Sequence, residues 1–341
     1  MRVLVVMNFG ADPSTPQRGR WVIDQVEALR EGGLDVDLFS FRPGKDQYLP
    51  ATRRIRRQLR ETRYDLVHAH YGLAGWCARL AGADPLVVTF HGTDVRHRIV
   101  GRMSRSLTRR IDLVAAASRA LFEEEDGRPG LPLPEGRSAV LPCGADLSRF
   151  QPTDRRLARQ KLGLDPDEPF LFFPADPERP EKRADRAREV ARIAGAELRS
   201  GGGIEPDLMP LWMNAAQAVM ITSDYEGFGL ACLEALACDV PVISTPVGIA
   251  PHALGGLERS LCLAYEPKSW ADFASALMKE PDPRVPGRIR AEALSARRMA
   301  ERVSIAYHDL FEKRRKPGDS KSPVSEGGLV SGGDLRNDGV S

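Results

Sequence analysis

Cysteine is scarce in this 341-residue chain. Its five cysteines, Cys77, Cys143, Cys232, Cys238 and Cys262, are odd in number and scattered, with no CxxC. That argues against a disulfide framework or a zinc site, suits a reducing cytosol, and makes a cytoplasmic location the expectation. No run approaches the roughly 18 consecutive apolar residues that span a bilayer. The opening MRVLVVMNFG is too short an apolar run for a signal peptide and reads as a first strand. Neither sign of charge dominates: 49 Lys and Arg stand against 47 Asp and Glu, net +2, so nothing global demands nucleic acid. What the chain does have is core material, 42% hydrophobic beside 28% charged, which excludes a wholly disordered or collagen-like protein. With domains of about 100–200 residues, two are expected.

The first half alternates strand-like runs (3–7, 36–41, 66–70, 86–90, 113–117) with helical stretches (21–30, 55–60, 74–80, 98–110). A second alternation follows, with strands at 170–173, 218–222, 240–244 and 260–264. Its helices fall at 181–193, 208–214, 230–237, 270–279 and 291–311. Continuous apolar strands separated by helices imply parallel sheets covered on both faces. The segment 142–152 has Pro at both ends and Gly144 inside, and marks the boundary. The expected fold is α/β, two Rossmann-like doubly wound domains facing a cleft, with ligands at the carboxyl ends of the strands. The domains are placed at 1–148 and 149–315, the last helix able to cross back to the first. Residues 316–341, rich in Gly, Ser and Asp and lacking aromatics, read as a disordered tail.

The densest chemistry is SDYEGFGLACLEAL, residues 223–236. A strand leads into it and a helix follows. Gly227 and Gly229 permit close backbone approach to a ligand. The helix start near Leu230 presents amide N–H groups and a positive dipole end to an anion. Glu226 and Glu234 flank that nest, where sugar hydroxyls would meet carboxylates; the plain alternative is acidic residues decorating a helix start. A dinucleotide fingerprint, and with it an NAD-binding oxidoreductase, is disfavoured by Cys232 in place of Gly and by the lack of an acidic ribose partner. Upstream, Arg179 and Lys182 follow the strand at 170–173. Cations there would stabilise charge on a departing phosphate, Arg by a bidentate contact and Lys as a point charge; a solvated charged loop is the alternative. Phe90-His-Gly-Thr-Asp94 closes another strand. His91 there could polarise a hydroxyl, and Asp94 could orient an acceptor or cap the next helix.

The segment EGFGLACLEALACDVPVIST resembles the paired-glutamate motif of retaining GT-B-fold glycosyltransferases, the group 1 or family 4-like kind. The resemblance spans roughly residues 1–311 and is strongest over 208–246. It implies a nucleoside-diphosphate sugar, UDP- or GDP-linked, held by the second domain. It further implies retaining transfer to an acceptor hydroxyl of a glycan, a lipid-linked sugar or a small molecule. Carried over, Glu226 and the amides of Gly227, Phe228, Gly229 and Leu230 face the donor sugar and diphosphate, and Glu234 binds the ribose. Arg179 and Lys182 clamp the diphosphate, with Arg183 a competitor for either role. His91 and Asp94 match the family's HG-x-D element, and Gly19 lets backbone approach the donor phosphates. His68 and His70 match a family strand and read as structural. Because such retention has no agreed covalent nucleophile, Glu226 is assigned to positioning and electrostatic support. No cofactor and no metal are expected: Asp35-Val-Asp37 and Asp165-Pro-Asp167 lack a phosphate-site context, and Arg179, Lys182 and helix amides supply the positive charge. The chain departs from the family at Asp239 (usually Gly), Cys143 (usually Asn) and 249–252 (usually with a Gly and a Glu). These changes bear on the sugar carried.

Two arginine-rich runs have no place in that site. One holds Arg53, Arg54, Arg56, Arg57, Arg60 and Arg63. The other holds Arg96, Arg98, Arg102, Arg105, Arg109 and Arg110, with no acid among them. In the second, Ile99, Met103, Leu107 and Ile111 recur every four residues, a basic amphipathic pattern. Three readings stay open: peripheral contact with an anionic membrane, a phosphate-bearing acceptor, or a surface helix burying its stripe. Rival functions on the same scaffold are a nucleotide-sugar epimerase or hydrolase and a non-catalytic sugar-nucleotide binding protein.

Overall fold

The computed structural model describes residues 1–10, 16–124, 127 and 129–315, so the tail expected over 316–341 lies outside the described residues. The first half builds β1 (Arg2–Met7), α1 (Arg20–Glu31), β2 (Asp35–Ser40), α2 (Tyr48–Glu61), β3 (Leu66–His70) and α3 (Gly72–Ala81). It continues through β4 (Leu86–Phe90), α4 (Thr93–Arg96), α5 (Arg98–Leu107), β5 (Leu113–Ala116) and β6 (Ser138–Val140). The strands form one sheet in the order β2-β1-β3-β4-β5-β6. Every pairing is parallel. β3, β4 and β5 are buried at every residue, as helices on both faces require.

The second half builds α6 (Arg155–Lys161), β7 (Phe170–Phe173), α7 (Ala184–Ala194), β8 (Glu197–Ser200), α8 (Met209–Ala215), β9 (Ala218–Ile221) and α9 (Leu230–Ala237). Then come β10 (Val242–Ser244), α10 (Ala250–Leu254), β11 (Leu261–Cys262), α11 (Pro267–Met278), α12 (Gly287–Glu292) and α13 (Ala296–Arg315). Its parallel sheet runs β11-β10-β9-β7-β8. α13 returns to the first sheet, where Met299, Val303, Tyr307 and Leu310 are buried with Val3, Val5 and Val26. Among the described residues no helix is long and apolar enough to cross a membrane.

Several elements differ from the sequence expectation. β6 and β8 are short, half-exposed strands with little apolar signal. α6 was invisible because its buried face is made of arginines. Arg155 and Arg159 donate to the side-chain oxygen Oε1 of Gln217 at 3.0 and 2.9 Å. The helix expected at 291–311 is broken into α12 and α13. Between them Ala145 and the 294–296 backbone exchange hydrogen bonds, N–H to Leu294 O at 3.0 Å and O from Ala296 N–H at 2.7 Å. The helix expected from 181 starts instead as a tight turn, Pro180–Lys182, followed by Arg183 at φ 53° and then α7. The helix expected over 98–110 ends as α5 plus a short turn, Thr108–Arg110.

Candidate functional site

β9 delivers the chain to residues 222–229 at the carboxyl edge of the second sheet. Thr222 Oγ1 donates to the carbonyls of Lys182 and Arg183, at 3.0 and 2.9 Å, and Asp224 N–H donates to Glu181 O at 3.0 Å. These bonds tie the 180–183 turn to the neighbouring loop, and the Arg183 carbonyl is shared with the Arg186 N–H of α7 at 3.0 Å. The turn carries Lys182 toward Glu226. Its ammonium donates to both carboxylate oxygens at 2.7 Å, and Ser223 Oγ donates to Oε1 at 2.7 Å. Both side chains are largely buried, which strengthens such a pair relative to one in water. Arg179 behaves differently. It is half-exposed, its guanidinium donates to Glu181 at 2.9 and 2.6 Å, and it is not brought to Glu226. Arg183 likewise turns to Asp185 and Asp224.

Beyond Glu226, Gly229 at φ 88° opens α9 with no side-chain cap, so the first-turn amides face outward from the helix start. Ile249 N–H donates to Phe228 O at 2.7 Å and fixes the loop from behind, tightly enough that a Cβ on Gly248 would lie 2.4 Å from Phe228 O. The first domain closes on the same loop. A Cβ on Gly227 would lie 1.7 Å from His91 O, and one on Gly92 (φ 124°) would meet the Tyr225 hydroxyl at 2.6 Å. Two glycines thus let two backbones touch across the cleft.

Glu234, near the middle of α9, lines a cavity of ≈ 160 Å³ together with Leu230, Met209 and Pro174 of the second domain and Gln17, Trp21 and Asp24 of the first. Burial pushes its carboxyl up to about 7, against the opposing pull of Arg149. Asp24 is held beside it by Arg149 at 2.9 Å and Arg20 at 2.6 Å, and Gln17 Nε2 donates across the cleft to Ile204 O at 2.9 Å. Gly19, at φ 76°, starts α1 at this cavity's edge; a Cβ there would lie 2.6 Å from Phe9 O, so glycine is needed for the turn itself.

His91 is the end of a stack of histidine rings. His68 and His70 lie 4.4 Å apart by ring centroids, His70 and His91 5.2 Å. Gln25 Nε2 lies 3.3 Å from His70 Nε2, and His70 Nδ1 lies 2.9 Å from His91 Nε2. With the carboxamide so oriented, Nε2 of Gln25 can only donate. His70 then carries its proton on Nδ1 and donates it to His91 Nε2, leaving His91 protonated on Nδ1. Burial lowers His91 to about 4, His68 to about 3 and His70 well below its ordinary value, so the stack is neutral near pH 7. The His70–His91 bond occupies one nitrogen of each ring, and no group of three metal-ligating residues occurs among the described residues.

Asp94 is not an acceptor-facing carboxylate. It is fully buried, and its oxygens accept from the amides of Gly72, His91 and Gly92 at 3.0, 3.0 and 2.9 Å. Burial raises it to about 6 despite those amides. It shapes the His91–Gly92 loop. Asp24 and Arg149 have no signal in their own sequence neighbourhoods; Gln17 and Trp21 flank Gly19, and Ser223 and Tyr225 stand inside the motif as neighbours of Glu226.

Two family models match the chain: Glycosyltransferase Family 4 over residues 34–149 and Glycosyl transferases group 1 over residues 180–289. Among curated relatives, the D-inositol 3-phosphate glycosyltransferase of Actinosynnema mirum is 30% identical over 279 residues, 64% of this chain and 65% of the relative. The protein of that name from Rhodococcus jostii is 31% identical over 292 residues, 71% of this chain and 63% of the relative. The chain thus spans just under two thirds of the length of these relatives. Among solved structures, sucrose-phosphate synthase from Thermosynechococcus elongatus matches with a TM-score of 0.71 at 20% identity, covering 92% of this chain and 100% of that one. Anabaena Alr3699/HepE, solved in complex with UDP and glucose, matches at 0.65 and 16% identity, covering 90% and 99%. Both likenesses are in fold.

Proposed function

The chain belongs to the group 1 glycosyltransferases and has their GT-B fold, and from that premise we propose that it transfers a sugar from a nucleoside-diphosphate sugar to an acceptor hydroxyl. Transfer proceeds with retention at the anomeric carbon and without a divalent ion. The observation that carries this reading is the Lys182–Glu226 pair beside the uncapped start of α9. A diphosphate at that helix start meets amide dipoles and the Lys182 ammonium. As the bond from the anomeric carbon to the leaving oxygen breaks, negative charge grows on the diphosphate. Fixed donors already aimed at it lower the barrier without reorganising. Glu226 orients the ammonium and faces the sugar. Neutral His91, with Nδ1–H as a donor, serves a sugar hydroxyl rather than acting as a cation. Glu234, across the cavity, takes the ribose hydroxyls. Arg179 joins the diphosphate only by leaving Glu181, so Lys182 is the principal cation. A uridine nucleotide is the first donor to try, since Alr3699/HepE was solved with UDP and glucose.

The test is a thermal-shift panel of UDP-, GDP- and ADP-sugars in the presence of a chelator, followed by product analysis with and without acceptor sugars. A ligand that binds only the native state raises its stability, so one nucleotide class should raise Tm selectively. Release of free sugar with donor alone at the full rate would make the protein a hydrolase. Binding without turnover on any acceptor would make it a sugar-nucleotide sensor. Activity lost to chelation and restored by magnesium would remove the metal-free reading.

A further inference from the structure

Three helices on the outer face of the first domain carry chemistry that the cleft leaves unused. α2, α3 and α5 pack side by side. On α2, Arg53, Arg56, Arg57 and Arg60 fall at i, i+3, i+4 and i+7, all exposed and on one side of the helix. Arg56 donates to Leu80 O at 2.6 Å, which continues that face onto the end of α3. There Leu80 is 59% exposed, and Trp76 lies one turn back. Trp76 Nε1 donates to Met103 O at 3.0 Å, and the Arg110 guanidinium lies 5.6 Å from the Trp76 ring centre, carrying the face onto α5. The apolar stripe of α5 divides at this point. Leu107 and Ile111 are buried in the domain, whereas Ile99 is 64% and Met103 40% exposed, set among the exposed Arg98, Arg102 and Arg109. The three helices and the turn after α5 hold eleven arginines and one acid, Glu61.

We propose that this face docks on an anionic lipid bilayer, with the arginines at headgroup phosphates, Ile99, Met103 and Leu80 in the acyl boundary, and Trp76 at the interface. The charge is complementary to acidic lipid, and the basic rim around exposed aliphatic side chains is the pattern of an interfacial helix. A soluble polyanion would satisfy the arginines and leave those aliphatic side chains in water, so it fits less of the surface. The inference stands independently of the transfer reaction. Joined to that reaction, it adds an acceptor class: His91 precedes α5 by one short helix, α4, so a docked face brings the acceptor side of the cleft near the membrane plane, where a lipid-borne hydroxyl would be found.

The experiment is co-sedimentation of the full chain with vesicles of equimolar phosphatidylglycerol and phosphatidylcholine, beside pure phosphatidylcholine. The chain should sediment with the acidic vesicles alone and be released by salt, as a screened interaction must be. Arg53→Gln and Arg102→Gln should each lower partitioning about fivefold. Ile99→Ser with Met103→Ser should lower vesicle binding and leave retention on a heparin column unchanged. All variants alter exposed side chains and should keep the wild-type Tm. The proposal is overturned if the chain ignores acidic vesicles. It is also overturned if the double serine variant binds vesicles as well as wild type, which would assign the face to a soluble polyanion.

Discussion

Lys182 and Glu226 are 44 residues apart in sequence and share a bond of 2.7 Å to each carboxylate oxygen. The enclosed pair fixes the ammonium in place: it is already largely desolvated and held by Glu226 before a phosphate arrives. Lys182→Ala should lower turnover about 10²–10³-fold. Circular dichroism and Tm should stay near wild type, and equal loss of fold and activity would reject the assignment. Glu234 makes a second residue-scale prediction. Its folded carboxyl is raised above its unfolded value to about 7, so the native state favours the protonated form. Stability from this group is present below about pH 4.5 and is lost as pH rises through 7. The Tm of Glu234→Gln minus that of wild type should therefore increase from pH 5 to pH 8; a flat difference would mean the carboxyl is not desolvated. His91 has the opposite sign. Its folded value is depressed to about 4, so its contribution is present above its ordinary value near 6.5 and is lost as pH falls through 4. Residue types, spacing and the resemblance to the paired-glutamate family marked Glu226, Glu234, Lys182 and His91 as candidates in the sequence. The diversion of Arg179 to Glu181 and the capture of Asp94 by three amides were not legible there, because both depend on which partner lies nearest in space.

At the scale of elements, the cleft is built by two loops that touch. Gly227 and Gly92 are needed for lack of a side chain, and Gly92 also for its φ of 124°. Gly227→Ala should hold the loops apart, because its Cβ would lie 1.7 Å from His91 O. The expected outcome is a folded protein with reduced kcat and a weaker donor-induced thermal shift. An unchanged kcat would mean that the closed approach is not the working geometry. Asp239 shows the same logic in reverse. It stands where the resembled family usually has Gly and takes φ 55°, and its carboxylate accepts from Arg288 N–H, 49 residues away in sequence, at 2.8 Å, a tertiary bond that ties this turn to the start of α12. The long apolar strands were legible because burial on both faces leaves continuous runs. α6 was not, since arginines bonded to Gln217 fill its buried side and no apolar period results.

For the whole molecule, the decisive element is α13, which starts in the second half and completes the core of the first. Tyr307 lies on the histidine stack, its hydroxyl 2.6 Å from His68 Nδ1, and Arg314 pairs with Asp84 at 2.9 Å. Leu310→Ala should cost about 2–3 kcal/mol, and calorimetry should show the loss in the transition that melts the first sheet. A loss confined to the other transition would make α13 peripheral. By itself the sequence determined what depends on near neighbours: the strand and helix alternation, the glycine loop before α9, and the residue types able to hold a diphosphate. These follow from periodicity and local backbone preference, which act over a few residues. Only the tertiary structure decided which groups meet: Trp21 and Asp24 with Glu234, Gly92 against Gly227, His70 on His91, Ile99 left in the open while Leu107 is covered. Such meetings are fixed by packing between segments tens to hundreds of residues apart, and no short window of sequence contains both sides of the contact.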